Sequence, residues 1–437
     1  MTHCFTAQVT SSPSPSPPSH RHDSSNYLDI LTSNTPLLDV RAPIEFIKGS
    51  FPNAHNIPLL NDQHRELIGT CYKEEGQDAA IALGHALLND NDYESDNDND
   101  SDHRNLKSEL VQSWKDHIEL YPNGYLYCFR GGLRSHIVQQ WLQDAGVHYP
   151  LIIGGYKAMR SSLLLDLQVS LQSLPIVLIG GRTCSGKTIV LTQLSRYVDL
   201  EGLANHRGSA FGAIARGGQP AQIDFENSII IEFTKHRQLH EQQHGHEHGH
   251  GHVLPVFMED EGHRIGDLTL PIPMHRPMAN EFPLVILETP LQERIDICIQ
   301  EYVQDPYLAF LSLDGTHHEG NDNDTGSNSK GEAHVRIRKQ CLGAVGRIQK
   351  GLRKRLGGTR THNRGNDILV EFENAFDLFQ SSDASNVSGF RKPIQSLLED
   401  YYDPMYDYQM SKRQGEILFH GNMEELVKWA EDYRTTK

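Results

Sequence analysis

An apolar run, Pro175-Ile-Val-Leu-Ile-Gly180, passes straight into Gly181-Arg-Thr-Cys-Ser185-Gly186-Lys187-Thr188, and a helical pattern, Thr188-Ile-Val-Leu-Thr-Gln-Leu194, follows it. Strand, glycine-bounded turn and helix in that order leave few folds open, because the turn fits G-x-x-x-x-G-K-[ST] in the setting that pattern requires. Backbone N–H groups at such a turn cradle a diphosphate, with the helix N-terminus behind them. Lys187 would neutralise the outer oxygens, and the Thr188 hydroxyl is suited to Mg²⁺. Gly181, Ser185, Gly186, Lys187 and Thr188 are therefore the diphosphate-binding candidates. Two later apolar runs, residues 253–258 and 283–287, read as further strands of a doubly wound α/β domain. An acidic partner for a metal is expected just past one of them. Glu259 and Asp260 in Phe257-Met-Glu-Asp-Glu261 come first, and Glu288 second. Cys184, inside the turn, reads as a packing residue. The chain carries no NKxD-type string, so a guanine nucleotide is not implied.

A second loop of the same kind lies upstream. Residues 36–40 and 124–128 read as buried parallel strands, and residues 135–145 as a helix. Between them sits Tyr127-Cys128-Phe129-Arg130-Gly131-Gly132-Leu133-Arg134-Ser135. Two glycines let the backbone curl so that its N–H groups point inward, and a helix N-terminus closes the nest. Such a nest holds an anion and lowers the pKa of a thiol at its centre. Cys128 is thus the candidate nucleophile, with Arg130, Gly131, Gly132 and Arg134 forming its anion loop. The C-x5-R spacing is shared with phosphatases, and turnover of an aryl phosphate would separate the two chemistries.

The formal charge of −17 argues at first against a nucleic-acid partner. Much of it sits in the tract at 89–103, while the stretch 335–364 holds ten Lys and Arg and no acid. A local basic face matters more to a phosphate backbone than the global sum. Arg347, Lys350, Arg353, Lys354 and Arg355 are the RNA-binding candidates. Six scattered cysteines without a CxxC pair indicate neither a zinc site nor a disulfide framework, and no metal site is assigned. A cytoplasmic protein is expected, with an organellar leader left open by the Ser/Pro-rich start. No apolar run reaches membrane-spanning length. Residues 11–25, 89–103, 236–252 and 315–331 read as disordered or inserted, since they hold too few apolar groups to order themselves. The seven histidines of 236–252 read as weakly metal-binding.

The Cys128 loop resembles the active-site loop of rhodanese domains, as does Leu37-Leu-Asp39-Val-Arg41-Ala-Pro-Ile-Glu45-Phe46 with Gly49-Ser-Phe-Pro52-Asn-Ala54-His55-Asn-Ile57-Pro58. In that likeness Asp39, Arg41 and Glu45 are structural ion-pair members. A rhodanese-like part followed by a P-loop part resembles the tRNA 2-selenouridine synthase family. Further strings carry the likeness, among them Arg65-Glu-Leu-Ile-Gly69-Thr-Cys71-Tyr-Lys73, Gly154-Gly155-Tyr156-Lys157, Asp199-Leu-Glu201-Gly202, Asn205-His206-Arg207-Gly208-Ser209 and Tyr401-Tyr402-Asp403-Pro404-Met-Tyr406-Asp407-Tyr408. The resemblance implies a tail at 1–26, a rhodanese-like parallel-sheet domain at 27–165, a P-loop domain at 172–315 and a mainly helical basic region at 332–437. It implies a transferase with no tightly bound cofactor that acts on the anticodon region of tRNA. Wobble 2-thiouridine would be geranylated from geranyl diphosphate, and the S-geranyl group then replaced by selenium from selenophosphate. The alternative is a rhodanese-type sulfurtransferase with a regulatory P-loop domain. A non-catalytic P-loop tRNA-binding protein would leave the Cys–Arg loop unexplained.

Overall fold

The structure is a computed structural model that describes residues 21–89, 106–207, 218–244, 253–314, 325–356, 361–381 and 386–434. The chain divides into two compact units, Met1–Phe46 with Asn53–Met159, and Ile47–Pro52 with Arg160–Lys437. The stretch between 165 and 172, where the sequence suggested a boundary, lies inside the continuous helix Gly155–Ser173.

In the first unit, β1 (Leu37–Asp39), β2 (Ala54–Asn56) and β3 (Tyr125–Tyr127) form a parallel sheet in the order β2-β1-β3. Helices cover it, so its central strands read as unbroken apolar runs. Leu38 and Leu126 pack with Trp114, Val138, Trp141 and Leu142 in one core. Bridges from Leu126 to Leu151 and from Ser24 to Ile152 widen the sheet. The end of the supposed N-terminal tail is therefore ordered. Asp23 accepts from Leu151 N at 2.9 Å, and Arg21 donates to the carbonyls of Pro122, Asn123 and Gly124.

The second unit holds β4 (Ile176–Gly181), β5 (Tyr197–Val198), β6 (Val256–Glu259), the hairpin β7 (Arg264–Ile265) and β8 (Leu268–Thr269), β9 (Leu284–Leu287) and β10 (Ile417–Gly421). Five of these build a parallel sheet ordered β10-β9-β4-β6-β5. The sequence did not reveal β5, which is two residues long, or β10, a half-exposed strand more than a hundred residues after its neighbour. After β9 the chain is mainly helical. Helices Thr325–Leu356 and Thr361–Ser381 bury Ile337, Cys341, Val345, Phe372, Phe376 and Phe379 against Phe390 and Ile394. The first of these helices begins inside the stretch expected to be disordered, because its buried positions recur at helical spacing through Ala333, Ile337 and Cys341. Likewise the helix Gln222–His244 takes in the start of the His-rich run, where His236 is buried with Nε2 at 2.9 Å from the Tyr197 carbonyl. The rest of that run and most of the acidic tract lie outside the described residues.

Candidate functional site

Two loops leave parallel strands at their C-terminal ends, where ligands of α/β sheets gather. The first follows β3. Gly131 takes φ +62°, and the helix Leu133–Asp144 starts right behind it. A second turn supports this one. Tyr156 N donates to the Cys128 carbonyl and Lys157 N to the Phe129 carbonyl, both at 2.9 Å. The fit is so close that a Cβ on Gly155 would lie 2.3 Å from the Cys128 oxygen and 2.5 Å from Gly131 N. Arg41 anchors the supporting turn, with its guanidinium 4.0 Å from the Tyr156 ring centroid and paired to Asp39 at 2.6 Å. Asp39 and Arg41 are both fully buried, which makes the pair an internal brace.

Cys128 is 3% exposed, and its Sγ lies 3.3 Å from Ser135 Oγ. The loop is thus more closed than an open thiolate nest, and a reagent must displace part of it to touch sulfur. Arg134 grips Glu45 at 2.5 and 3.1 Å while staying within electrostatic reach of Cys128. Burial holds the Glu45 carboxyl up, but the bonds and charge of Arg134 outweigh it and bring its pKa below the ordinary value. Arg130 is exposed, which leaves it the cation that projects outward. Sequence gave no sign that Arg134 would choose a partner 89 residues away.

The second loop follows β4. Lys187 Nζ reaches back to the Gly181 carbonyl at 3.4 Å, and Ser185 Oγ is buried without a hydrogen-bond partner. An orphaned hydroxyl in a phosphate cradle is a donor waiting for an oxyanion. Cys184 stands at φ +60° with its side chain in a buried cluster beside Cys298. Its bond to Cys298 and its burial push the thiol well up, so it is a packing group.

Carboxylates surround Lys187. Burial opposes the ammonium, yet Glu261, Glu201, Asp260 and Glu259 together raise its pKa. Burial and the neighbouring Glu261 push Glu201 up to about 8. Glu201 is then protonated at neutral pH and donates to Glu261. Its other neighbour is Thr188, whose Oγ1 lies 3.4 Å from Glu201 Oε2. Of the two acids the sequence put first, Glu259 is fully buried and accepts from Leu200 N at 2.9 Å, so it braces a helix start. Asp260 lines the cavity and pairs with Arg413 at 2.5 Å. Glu261 lay within the acidic string that the sequence put first, whereas Glu201 was not singled out.

The cavity over this loop encloses about 460 Å³. Its floor is the loop itself, and its wall mixes Tyr302, Tyr402, Met405, Tyr406 and Met410 with Glu201, Asp260, Glu261, Arg264, Glu301 and Arg413. Tyr302 and Tyr402 each lie on a π-helical turn, Gln300–Gln304 and Leu398–Tyr402, a distortion that often marks functional sites. Arg294, 3% exposed, ties wall to floor. Its Nε donates to the Thr183 carbonyl at 3.0 Å, and its two terminal nitrogens grip Asp403 at 3.0 and 2.6 Å. Arg182 adds bonds to Asp403 and Asp407, both at 2.8 Å. Tyr406 Oη is buried without a partner, and burial pushes the phenol up to about 12.

The basic stretch lies largely on the helix Thr325–Leu356, where Arg347 and Lys350 are exposed. Arg353, Lys354 and Arg355 continue that helix. Among the described residues no helix is long and apolar enough to cross a membrane, and no three His, Cys, Asp or Glu are grouped to hold a metal ion.

Residues 174–437 match a family model described as the tRNA 2-selenouridine synthase AAA domain. Over 416 residues the chain is 42% identical to a tRNA 2-selenouridine synthase of Marinobacter nauticus, covering 95% of this chain and 99% of that one. A protein of the same name from Pseudomonas fluorescens is 40% identical over 93% of this chain and 97% of its own length. One from Alcanivorax borkumensis is 38% identical over 93% of this chain and 98% of its own. A match that takes in both loops and nearly the full length of each relative places this chain in the tRNA 2-selenouridine synthase family.

Proposed function

We propose that this chain replaces the sulfur of wobble 2-thiouridine in tRNA by selenium, in two steps served by its two loops. The observation that carries the reading is the character of the P-loop cavity. Phosphate donors, charged groups, and tyrosine and methionine side chains all line it. A prenyl diphosphate would set its phosphates on the loop and its chain along the tyrosines and methionines. In the first step the thiouridine sulfur attacks C1 of geranyl diphosphate. The C–O bond breaks, diphosphate leaves and the base loses its N3 proton. In the second step the selenium of selenophosphate attacks C2, geranyl thiol departs and water cleaves the P–Se bond to release phosphate.

The first unit is read as rhodanese-like, with Cys128 and the nest around Gly131, Gly132 and Arg130 facing selenophosphate. Arg134 shapes that nest through Glu45. Gly181, Ser185, Gly186, Lys187 and Thr188 take the diphosphate. Mg²⁺ would sit by Thr188, Glu201 and Glu261, an all-oxygen donor set that leaves further positions for phosphate and water, as Mg²⁺ prefers. The exposed Arg347 and Lys350, with Arg353, Lys354 and Arg355 further along, provide a basic helix for the tRNA backbone. Relatives named as synthases along 95% of the chain do not favour the sulfurtransferase alternative. The test is nucleoside mass spectrometry of thiolated tRNA incubated with this protein, geranyl diphosphate and selenophosphate, each omitted in turn. The reading expects S-geranyl-2-thiouridine without selenophosphate and 2-selenouridine with both. Selenouridine formed at full rate without geranyl diphosphate would overturn it.

A further inference from the structure

The first unit contains an apolar pocket of about 260 Å³ that the two loops do not account for. Ile68 and Tyr72 reach it from the helix Asp62–Glu74, and Ile81 and Gly84 from the helix Gln77–Asn89. Leu133 and Arg134 form its lip. These two residues lie between Gly132, whose carbonyl is 4.0 Å from Cys128 Sγ, and Ser135, whose Oγ is 3.3 Å from it. The pocket is therefore lined in part by the turn that touches sulfur. Its rim is apolar and open, with Tyr72 57% and Leu133 51% exposed. An exposed apolar rim around an apolar hollow marks a binding site rather than ordinary surface.

We propose that this pocket receives the prenyl chain of the S-prenylated thiouridine while that base is presented to Cys128. The proposal rests on the two-step reading, in which the substrate of the second step carries a ten-carbon isoprenoid thioether. A polar RNA offers that chain little apolar cover, and burying it against Ile68, Ile81 and Tyr72 removes it from water. The covalent change is unaltered. Selenium bonds to C2, the C2–S bond breaks with its electron pair leaving on sulfur, and the prenyl thiolate takes a proton from water. The pocket holds the departing group in place until then. It also gives the enzyme a means of preferring a prenylated base over an unmodified one at the second step.

The test uses the full chain, selenophosphate and two anticodon stem-loops, one with S-geranyl and one with S-methyl 2-thiouridine. The wild type is expected to convert the geranyl RNA with a kcat/KM at least about tenfold higher. Gly84→Phe fills the pocket, since a Cβ there meets only Ile68 Cδ1, at 3.5 Å. It should bring the ratio close to one while S-methyl turnover stays as it was. Tyr72→Ser, on the exposed rim, should lower the ratio severalfold without disturbing the core, and decides the matter if Gly84→Phe does not fold. A wild-type ratio near one, or an unchanged ratio in folded variants, overturns the pocket assignment while leaving the two-step reading intact. Failure of the wild type to selenate either RNA overturns both.

Discussion

The two loops share a plan, a parallel strand, a glycine turn and a helix, yet their electrostatics are opposite. The Cys128 loop keeps an exposed arginine at its mouth, and the nearby carboxylates Glu45 and Asp39 are already matched to Arg134 and Arg41. The Lys187 loop has one ammonium among Glu201, Asp260 and Glu261. The first is closed, with Cys128 3% exposed, and its turn must shift before an anion reaches sulfur. In the second, Asp260 is matched to Arg413 and Glu201 holds its proton at neutral pH, so Lys187 chiefly faces Glu261. Similar backbone geometry thus gives one loop shut by packing around its thiol and one whose ammonium is held among carboxylates.

The sharpest way to break this contrast is to disable one loop at a time. Cys128→Ser is expected to lower selenation on the order of 10³-fold or more while S-geranylation continues, and Lys187→Ala to do the reverse when S-geranyl RNA is supplied. Nucleoside mass spectrometry reads both, and loss of both steps in either variant would merge the two sites into one. Next in size are the braces. Arg41→Met strands Asp39 and is expected to cost about 3–5 kcal/mol because a buried charge loses its partner, and Arg294→Met about 1–3 kcal/mol because Asp403 keeps Arg182. Urea unfolding measures the cost. Geranylation should fall with Arg294→Met only, and selenation with Arg41→Met. Gly155→Ala should be milder in stability than Arg41→Met, about 1–3 kcal/mol for a forced positive φ, but should cut selenation because the new methyl meets the Cys128 carbonyl. An undiminished rate would show that the supporting turn does not set the loop.

The smallest effect concerns pH. Glu201 has its folded pKa raised to about 8 from 4.5, so its bound proton favours the folded state. That stability is complete below the unfolded value and is lost as pH rises through about 8. Glu201→Gln should flatten the decline of melting temperature between pH 5 and 8 in metal-free buffer. An equally steep decline in the variant would remove Glu201 from the acid cluster.

Both loops were legible in the sequence because each combines an apolar strand with glycines and a charged residue at fixed spacing, all within about ten positions. What surrounds them was not. Glu201 reaches Thr188 only through β5, too short to leave a periodic signal, and the Tyr402–Tyr406 wall returns from some 220 residues downstream. Strand geometry separates the candidate acids. Glu259 is still in β6 and points at Leu200, while Asp260 and Glu261 lie beyond the strand end, where the chain is free to turn toward Lys187. His236 looked like part of a solvated run because its burial depends on Tyr197, a distant residue.

The π-helical turns beneath Tyr302 and Tyr402 also constrain how such a chain can change. Each turn accommodates one residue more than an α-helix would, and every residue advances the helix by about 100°. Deleting a single position in either segment would relax the helix to regular geometry and swing its tyrosine about a quarter-turn off the cavity, with no change in composition. A one-residue deletion in either turn is therefore expected to disturb the cavity more than a single side-chain substitution along its wall.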